Sequence, residues 1–227
     1  GIGRAIALRL ADDGFDVAVN DISATDLEAL VEEIKSKQRK SSFYVADVSI
    51  EEQVKNLIRN VVECHGSLDV MVANAGIAVW KPFLETTEAD WDKLLAVNVK
   101  GTFFCYKHAG AQMIAQGHGG RIIGASSLAG KRGTPIMAAY SATKFAIRSL
   151  TQSAAMAFGP HRITVNAYAP GPIETPMRMH IHNTIADELI GIRQLRQRSP
   201  LGINGSPADI ASLVSYLVSK EAGFVTG

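Results

Sequence analysis

The sequence predicts an α/β fold in which a doubly wound parallel sheet carries helices on both faces. Short apolar runs alternate with longer amphipathic stretches along the chain, which is the pattern of βαβ units. The apolar runs are rich in Val and Ile and barely alternate with polar residues, as expected for strands covered on both faces. The length of 227 residues and the hydrophobic share of 47% suit a single domain with one core.

Five strands and six regular helices are predicted along this pattern. The strands are expected at residues 15–20, 43–46, 69–73, 121–125 and 164–167. The helices are expected at residues 4–13, 24–36, 50–64, 88–115 (with an interruption), 137–158 and 207–219, and an irregular helical stretch at 173–198. Gly14 is expected to end the first helix, and Ser206 is the expected N-cap of the last.

Composition and charge exclude several classes of function. The net charge is +1 and the lysines and arginines are scattered, so no basic face predicts a nucleic-acid partner. The longest apolar stretches, such as residues 70–73, are far too short to cross a membrane. Cys64 and Cys105 form no CxxC pair, which argues against a disulfide scaffold or zinc site and favours reduced thiols in a cytoplasmic protein.

Two features at the start of the chain are typical of a dinucleotide site. Gly1-Ile2-Gly3 opens a helix whose free N–H groups can face a pyrophosphate, although a simple helix-start turn explains the glycines equally well. Asp21 follows the first predicted strand, where an acid accepts hydrogen bonds from the adenosine ribose and repels a 2′-phosphate. The alternative for Asp21 is a residue that only begins a turn.

Polar or small residues also follow the next two predicted strands. Asp47 and Val48 are candidates for holding the adenine edge, with a cap near Ser49 as the alternative. Asn74-Ala75-Gly76 leaves room for a cofactor at the carboxyl end of its strand, although a tight turn is an equal alternative for the triplet alone.

Asn98 lies inside a predicted helix, where asparagine is a poor fit, and Gly101 follows closely. A local break there would free a backbone carbonyl and turn the amide inward. The alternative is that Asn98 is a polar residue tolerated on a solvent-exposed face of the helix.

The strongest signal is the combination of Ser127 with Tyr140 and Lys144. The tyrosine and the lysine are four residues apart in a predicted helix and so share one face. This set suits carbonyl reduction, because a phenol can donate a proton to a developing alkoxide and a nearby ammonium favours the phenolate. The serine hydroxyl can steady the substrate oxygen.

Together these motifs resemble the short-chain dehydrogenase/reductase family over nearly the whole chain. The segment from Pro170 to Thr175 and the run Tyr140-Ser-Ala-Thr-Lys144 belong to the same resemblance. It implies a Rossmann-like fold that lacks the family's first and last strands, so we expect the sequence to be a piece of a longer protein. Without the first strand, two strands would face each other across a gap wider than the ~4.8 Å pairing distance.

The resemblance also implies a role for each motif. Tyr140 is expected to be the acid/base, Lys144 to bind the nicotinamide ribose and lower the tyrosine pKa, Ser127 to orient the carbonyl, and Asn98 to hold a water. Contacts with the nicotinamide end are expected from Pro170, Gly171, Ile173 and Thr175. The expected cofactor is NAD, with NADP as the alternative, and the expected assembly is a homotetramer.

The substrate is expected to be a small ketone and its secondary alcohol. The chain resembles most closely the acetoin/diacetyl reductases and butanediol dehydrogenases, and residues 173–203 occupy the place of the family's substrate lid. The alternatives are a 3-oxoacyl-carrier-protein reductase, a sugar-alcohol dehydrogenase, or a catalytically silent nucleotide-binding scaffold. No metal is expected, since His180 and His182 point different ways on a helix.

Overall fold

Parallel strands alternate with helices, as the sequence predicts. The computed structural model describes residues 1–177 and 200–227. The strands are β1 (Val17–Asp21), β2 (Ser41–Val45), β3 (Val70–Ala73), β4 (Gly120–Ala125) and β5 (Ile163–Tyr168). The α-helices are α1 (Ile2–Asp12), α2 (Leu27–Ser36), α3 (Glu51–His65), α4 (Glu88–Leu94), α5 (Gly101–Gln116), α6 (Ala138–Phe158) and α7 (Pro207–Val218). Most of the helical stretch predicted at 173–198 lies outside the described residues.

The strands form two separate parallel sheets. One sheet pairs β1 with β2, and the other has the order β3-β4-β5. Within the described residues, no strand pairs with both β1 and β3.

Helix α1 contacts both sheets through two adjacent faces. Ile6 and Leu10 pack into a cluster with Ile123 of β4 and with α7. Ala7 and Ala11, on the adjacent face of the helix, pack against β1 and α2. Residues three and four apart lie on one helix face, so a single short helix can contact both layers.

A second layer of helices covers the opposite face of the sheets. Helices α3 and α5 pack on the strands through residues that include Val54, Met113 and Ile122, all fully buried. Val165 of β5 belongs to the same cluster. Both faces of the three-stranded sheet are therefore covered, as the near-continuous apolar strands predict.

Several predicted bounds shift by two or three residues for local reasons. The helix predicted from residue 24 begins at Leu27, because Ser23 N donates to Asp21 Oδ1 (3.2 Å) and forms a turn first. The strand predicted at 43–46 begins at Ser41, whose hydroxyl donates to Val17 O across the pair (2.8 Å). Ser206 is the N-cap of α7, as predicted.

Candidate active site

The predicted site residues lie at the carboxyl edge of the strands. Asn74 directly follows β3, Ser127 follows β4 by two residues, and Pro170 follows β5 by two. Leu128 N donates to Pro170 O (2.8 Å) and ties two of these loops together. In open parallel sheets, ligands bind in the crevice outside this edge.

Tyr140 and Lys144 lie in the first two turns of α6, facing the end of β4. The Lys144 side chain is buried, and its Nζ donates to Ala125 O (2.7 Å) and lies 5.5 Å from the centre of the Tyr140 ring. Ser126 and Ser127 are separated by their partners: Ser126 Oγ donates to Lys144 O (2.9 Å), whereas a hydrogen bond from Ser127 acts on the Tyr140 phenol. Ser127 is therefore the serine that faces the tyrosine.

Lys144 is not among the groups that shift the pKa of Tyr140 here, so its expected effect on the tyrosine stays a prediction. Burial raises the pKa of Tyr140, and only the hydrogen bond from Ser127 acts in the lowering direction. Burial also lowers the pKa of Lys144 to about 8.

Asn98 lies in a π-helical turn, Leu95–Lys100, that interrupts the helix predicted over 88–115. Its side chain is buried, with Oδ1 accepting from Ile77 N and Nδ2 donating to Ile77 O, both at 2.9 Å. Its backbone O accepts from Thr102 Oγ1 (2.7 Å). Of the two interpretations of Asn98, the structure agrees with a local helix break that turns the amide inward.

Gly76 lies where the loop after β3 meets Asn98 and Lys144. A Cβ on Gly76 would lie 3.3 Å from Asn98 Oδ1 and 3.4 Å from Lys144 Nζ. The loop after β3 therefore lies directly against the asparagine and the lysine. Ala75, the middle residue of the triplet, is exposed beside it.

The first turn of α1 lies against the same loop. A Cβ on Gly3 would lie 2.7 Å from Asn74 Nδ2 and would displace this side chain, whereas a Cβ on Gly1 would meet nothing within 4 Å. Ile2 between them packs against the core cluster of α1 and α7. The helix start thus lies close to the loop after β3 at Gly3, and backbone N–H groups at a helix start are of the kind that binds an anion.

Asp21 and Asp47 stand at the ends of the neighbouring strands. The Oδ1 atoms of both carboxylates hold turns, accepting from Ser23 N (3.2 Å) and Ser49 N (2.8 Å) respectively. Within residues 1–177 and 200–227, the second oxygen of each accepts no hydrogen bond. Both carboxylates thus form the predicted alternative turn and keep an acceptor free for a ligand.

Val48 is placed by a close helix contact. A Cβ on Gly101 would lie 2.8 Å from Val48 Cγ2, so the glycine lets α5 approach this loop. Gln53 Oε1 accepts from Asp47 N (2.8 Å) and fixes the preceding residue.

The segment after β5 is partly described. Gly171 is exposed, whereas Ile173 and Thr175 are half-buried, and Ile173 forms a bridge with Gly205. Residues 178–199 of the predicted lid 173–203, including His180 and His182, lie outside the described residues. In the described ranges, no cluster of His, Cys, Asp and Glu could hold a metal ion, and no helix is long and apolar enough to cross a membrane.

Two buried hydroxyls in the site escaped sequence analysis. Thr143 Oγ1 accepts from Asn98 Nδ2 (3.0 Å) and donates to Tyr140 O (2.7 Å). The Tyr168 hydroxyl donates to Asn74 Oδ1 (2.6 Å). The only signal for Tyr168 is a tyrosine at the end of an otherwise apolar strand, because its polar tip needs a buried partner.

The residues of this edge fit a bound dinucleotide. The edge offers a helix start with a glycine approach, two carboxylates with free acceptors, and a phenol, a hydroxyl and an amine around the end of β4. A pyrophosphate suits the helix start, and ribose hydroxyls suit the carboxylates.

Sequence comparisons identify similar proteins that are named as dehydrogenases or reductases. The sequence model of a family described as enoyl-(acyl carrier protein) reductase matches residues 1–227. A short-chain dehydrogenase/reductase of Armillaria gallica is 53% identical over 230 residues, covering 100% of this chain and 88% of that protein. The L-2,3-butanediol dehydrogenase of Corynebacterium glutamicum is 41% identical over 234 residues, with 100% and 91% covered. A 3-oxoacyl-[acyl-carrier-protein] reductase of Staphylococcus aureus is 42% identical over 228 residues, with 100% and 90% covered.

Solved structures share the architecture. NAD⁺-bound xylitol dehydrogenase superposes with a TM-score of 0.93 at 31% sequence identity, covering 99% of this chain and 90% of that chain. Acetoin dehydrogenase from Enterobacter cloacae superposes with a TM-score of 0.87 at 34% identity, covering 100% and 87%. The Rossmann-like, doubly wound fold predicted from the sequence is confirmed.

Proposed function

Because the chain belongs to the short-chain dehydrogenase/reductase family, we propose that it is an NAD-dependent oxidoreductase interconverting a small diacetyl- or acetoin-like ketone and its secondary alcohol. The observation that carries this proposal is the grouping of Ser127, Tyr140 and Lys144 around the end of β4. The loop after β3 lies against Lys144 at Gly76 and against Gly3 at Asn74, and so connects this group to the helix start that suits a dinucleotide.

Tyr140 and Ser127 supply the proton and the hydrogen bond that act on the substrate oxygen. Tyr140 is buried and its raised pKa keeps the phenol protonated at neutral pH, so it is a proton donor for the oxygen of a bound carbonyl. Ser127 donates a hydrogen bond to the same oxygen and steadies its developing charge. When bound, the nicotinamide supplies or accepts the hydride. Lys144 of α6, whose Nζ lies at the end of β4, would hold the nicotinamide ribose.

The coenzyme is NAD. Asp21 has a free carboxylate oxygen for the ribose and repels a 2′-phosphate. The next residue, Ile22, is 72% exposed and apolar, so it offers no positive charge to a phosphate. The NAD⁺-bound xylitol dehydrogenase is consistent with this choice. NADP remains the alternative that a direct comparison of the two coenzymes decides.

The substrate class is the finer part of the proposal. The butanediol dehydrogenase and the acetoin dehydrogenase structure favour a short ketone. The acyl-carrier-protein reductase is equally similar in sequence, so it and a sugar-alcohol dehydrogenase stay as alternatives. Specificity within a fold family is set by the site rather than the fold.

A substrate panel tests the proposal. With diacetyl as the substrate, we expect the purified protein to oxidise NADH faster than NADPH. With NADH as the coenzyme, we expect it to reduce diacetyl faster than a 3-oxoacyl thioester or xylulose. Tyr140→Phe is the control: it should bind NADH normally and lose about 100-fold or more in turnover. NADH binding without turnover of any member of the panel would favour the silent scaffold.

The assembly proposed is a homotetramer joined through α5 and α6. Phe103 and Phe145 on these helices are 44% and 41% exposed, and large exposed aromatic side chains are typical of interfaces. A cytoplasmic location stays a prediction that rests on the unpaired cysteines.

A further inference from the structure

Three consecutive residues at the end of β4 contact the two functional side chains of α6 and the backbone that carries them. Ala125 O accepts from Lys144 Nζ (2.7 Å), and a hydrogen bond from Ser127 acts on the Tyr140 phenol. Ser126, the residue between them, is buried, and its hydroxyl donates to Lys144 O at 2.9 Å. Ala125 and Ser126 therefore bind the same lysine twice, once at the side-chain amine and once at the backbone carbonyl.

The bond from Ser126 joins α6 to the sheet. In an α-helix, each interior carbonyl accepts a hydrogen bond from the N–H group four residues later. A carbonyl oxygen has two lone pairs, so the hydroxyl adds a second bond at Lys144 without breaking the helix. Because a carbonyl has no proton to donate, the hydroxyl is the donor. The donor directly follows β4, so the bond ties the helix to the strand at the level of the lysine.

The neighbours of Ser126 hold it in this position. Its backbone N donates to Tyr168 O of β5 (2.9 Å). A Cβ on Gly130 would lie 2.5 Å from Ser126 Oγ and 2.6 Å from Lys144 O, so the glycine lets the 3₁₀ turn Leu128–Gly130 lie directly on the bond. The bond is therefore covered on this side, and the loss of a buried hydrogen bond is costly because water does not readily replace it.

We propose that Ser126 is a positioning residue whose hydroxyl fixes Lys144 at its backbone carbonyl and so keeps the amine at the end of β4. This inference rests on the proposed function, in which that amine holds the nicotinamide ribose. Without the hydroxyl, the first two turns of α6 are free to shift from β4, and the amine loses its fixed place beside Ala125 O. Ser126 therefore acts through the lysine, whereas Ser127 acts on the tyrosine.

The first test measures the lysine directly, in the purified protein without added coenzyme. Acetic anhydride acylates accessible amines, and mass spectrometry of the digested protein gives the rate at each lysine. Lys144 is 4% exposed, so its reaction requires a local opening of the structure. We expect Ser126→Ala to raise the acylation rate of Lys144 about three- to tenfold, relative to the exposed Lys35 of α2 in the same sample.

Thr151→Val is the matched control. Thr151 is buried two turns beyond Lys144 on α6, and its hydroxyl donates to Ile147 O at 2.8 Å. Both changes remove a buried hydroxyl bonded to a carbonyl of this helix, but only Ser126→Ala removes a bond to the lysine. We expect Thr151→Val to change the Lys144 rate by less than about twofold. A Lys144 rate unchanged by Ser126→Ala, or raised equally by Thr151→Val, would overturn the positioning role.

A double-mutant cycle then connects the position of the amine to coenzyme binding. We expect Ser126→Ala to raise the Kd of NADH, measured by fluorescence titration, about threefold or more. In a Lys144→Met background, the same change should alter the Kd by less than about twofold, because the amine that it positions is gone. An undiminished effect in that background would overturn a role through the lysine. A parent protein that binds neither NADH nor NADPH would instead overturn the proposed function, while the acylation rates would still decide whether Ser126 holds the lysine.

Discussion

The buried amide of Asn98 shows how single residues set the geometry of the site. It is bonded to both backbone groups of Ile77 and to the hydroxyl of Thr143. Thr143 in turn donates to the carbonyl of Tyr140. One hydroxyl therefore couples the π-helical turn to the helix that carries the acid.

Thr143→Val tests this coupling, since it keeps the shape of the side chain and removes the hydroxyl. A buried Asn98 N–H is left without its partner, and the π-helical turn is free to shift. We expect kcat to fall at least about tenfold, equivalent to ~1.4 kcal/mol in the barrier. Thr143→Ser keeps the hydroxyl and is the matched control. An equal fall of kcat in both variants, measured by steady-state kinetics, would contradict the coupling.

Lys144 gives a prediction about pH and stability. Its pKa is lowered by burial from 10.5 to about 8, so the unfolded state binds more protons than the folded state between these values. The contribution of this lysine to the free energy of unfolding therefore rises with pH through that window. In urea denaturation, we expect the parent to gain stability relative to Lys144→Met from pH 8 to pH 10.5. A difference between the two proteins that stays constant with pH would contradict the lowered pKa.

At the scale of elements, the helix ends carry local signals that the sequence makes plain. Helix α7 begins with a capping box, in which Ser206 Oγ accepts from Asp209 N and Asp209 accepts from Ser206 N. Gly66 and Gly117 end α3 and α5 with left-handed backbone conformations, at φ values of 91° and 79°. Each of these features is a local pattern of three or four residues.

Ser206→Ala tests the capping box. The free energy of unfolding, measured by urea denaturation, is expected to fall by about 1 kcal/mol. Ser215→Ala is the matched control, because the same change in the interior of α7 favours the helix slightly. An equal effect of the two changes would show that α7 does not depend on its cap.

What the sequence could predict follows from the range of the interactions. Local sequence patterns predict the positions of the strands, the helix that bears Tyr140 and Lys144, and the break at Asn98. The partner of Lys144 could not be predicted, because Ala125 O is a backbone atom 19 residues away. The same applies to Tyr168 and Asn74, which are 94 residues apart and meet only after β3, β4 and β5 have paired.

At the scale of the whole molecule, helix α1 packs against both sheets. Ile6 and Leu10 contact the cluster that contains β4 on one face, and Ala7 and Ala11 contact the cluster that contains β1 on the adjacent face. The proposed dinucleotide site lies at the start of the same helix.

Phe145→Glu tests the proposed assembly at this scale. A charge in an apolar interface is costly, so the mass measured by light scattering is expected to fall below that of the tetramer. Phe83→Glu is the control, because Phe83 is 69% exposed in a 3₁₀ turn outside α5 and α6. A parent protein that is monomeric, or a tetramer that survives Phe145→Glu, would contradict an interface through these helices.

The most direct test of the central claim is the fate of a labelled hydride. The protein is incubated with diacetyl and NADH deuterated at the transferable position of the nicotinamide, and the product is analysed by mass spectrometry. The account predicts acetoin with deuterium on the new carbinol carbon, formed about 100-fold or more slowly by Tyr140→Phe. NADH consumption without deuterium in the product, or an unchanged rate in Tyr140→Phe, would contradict it.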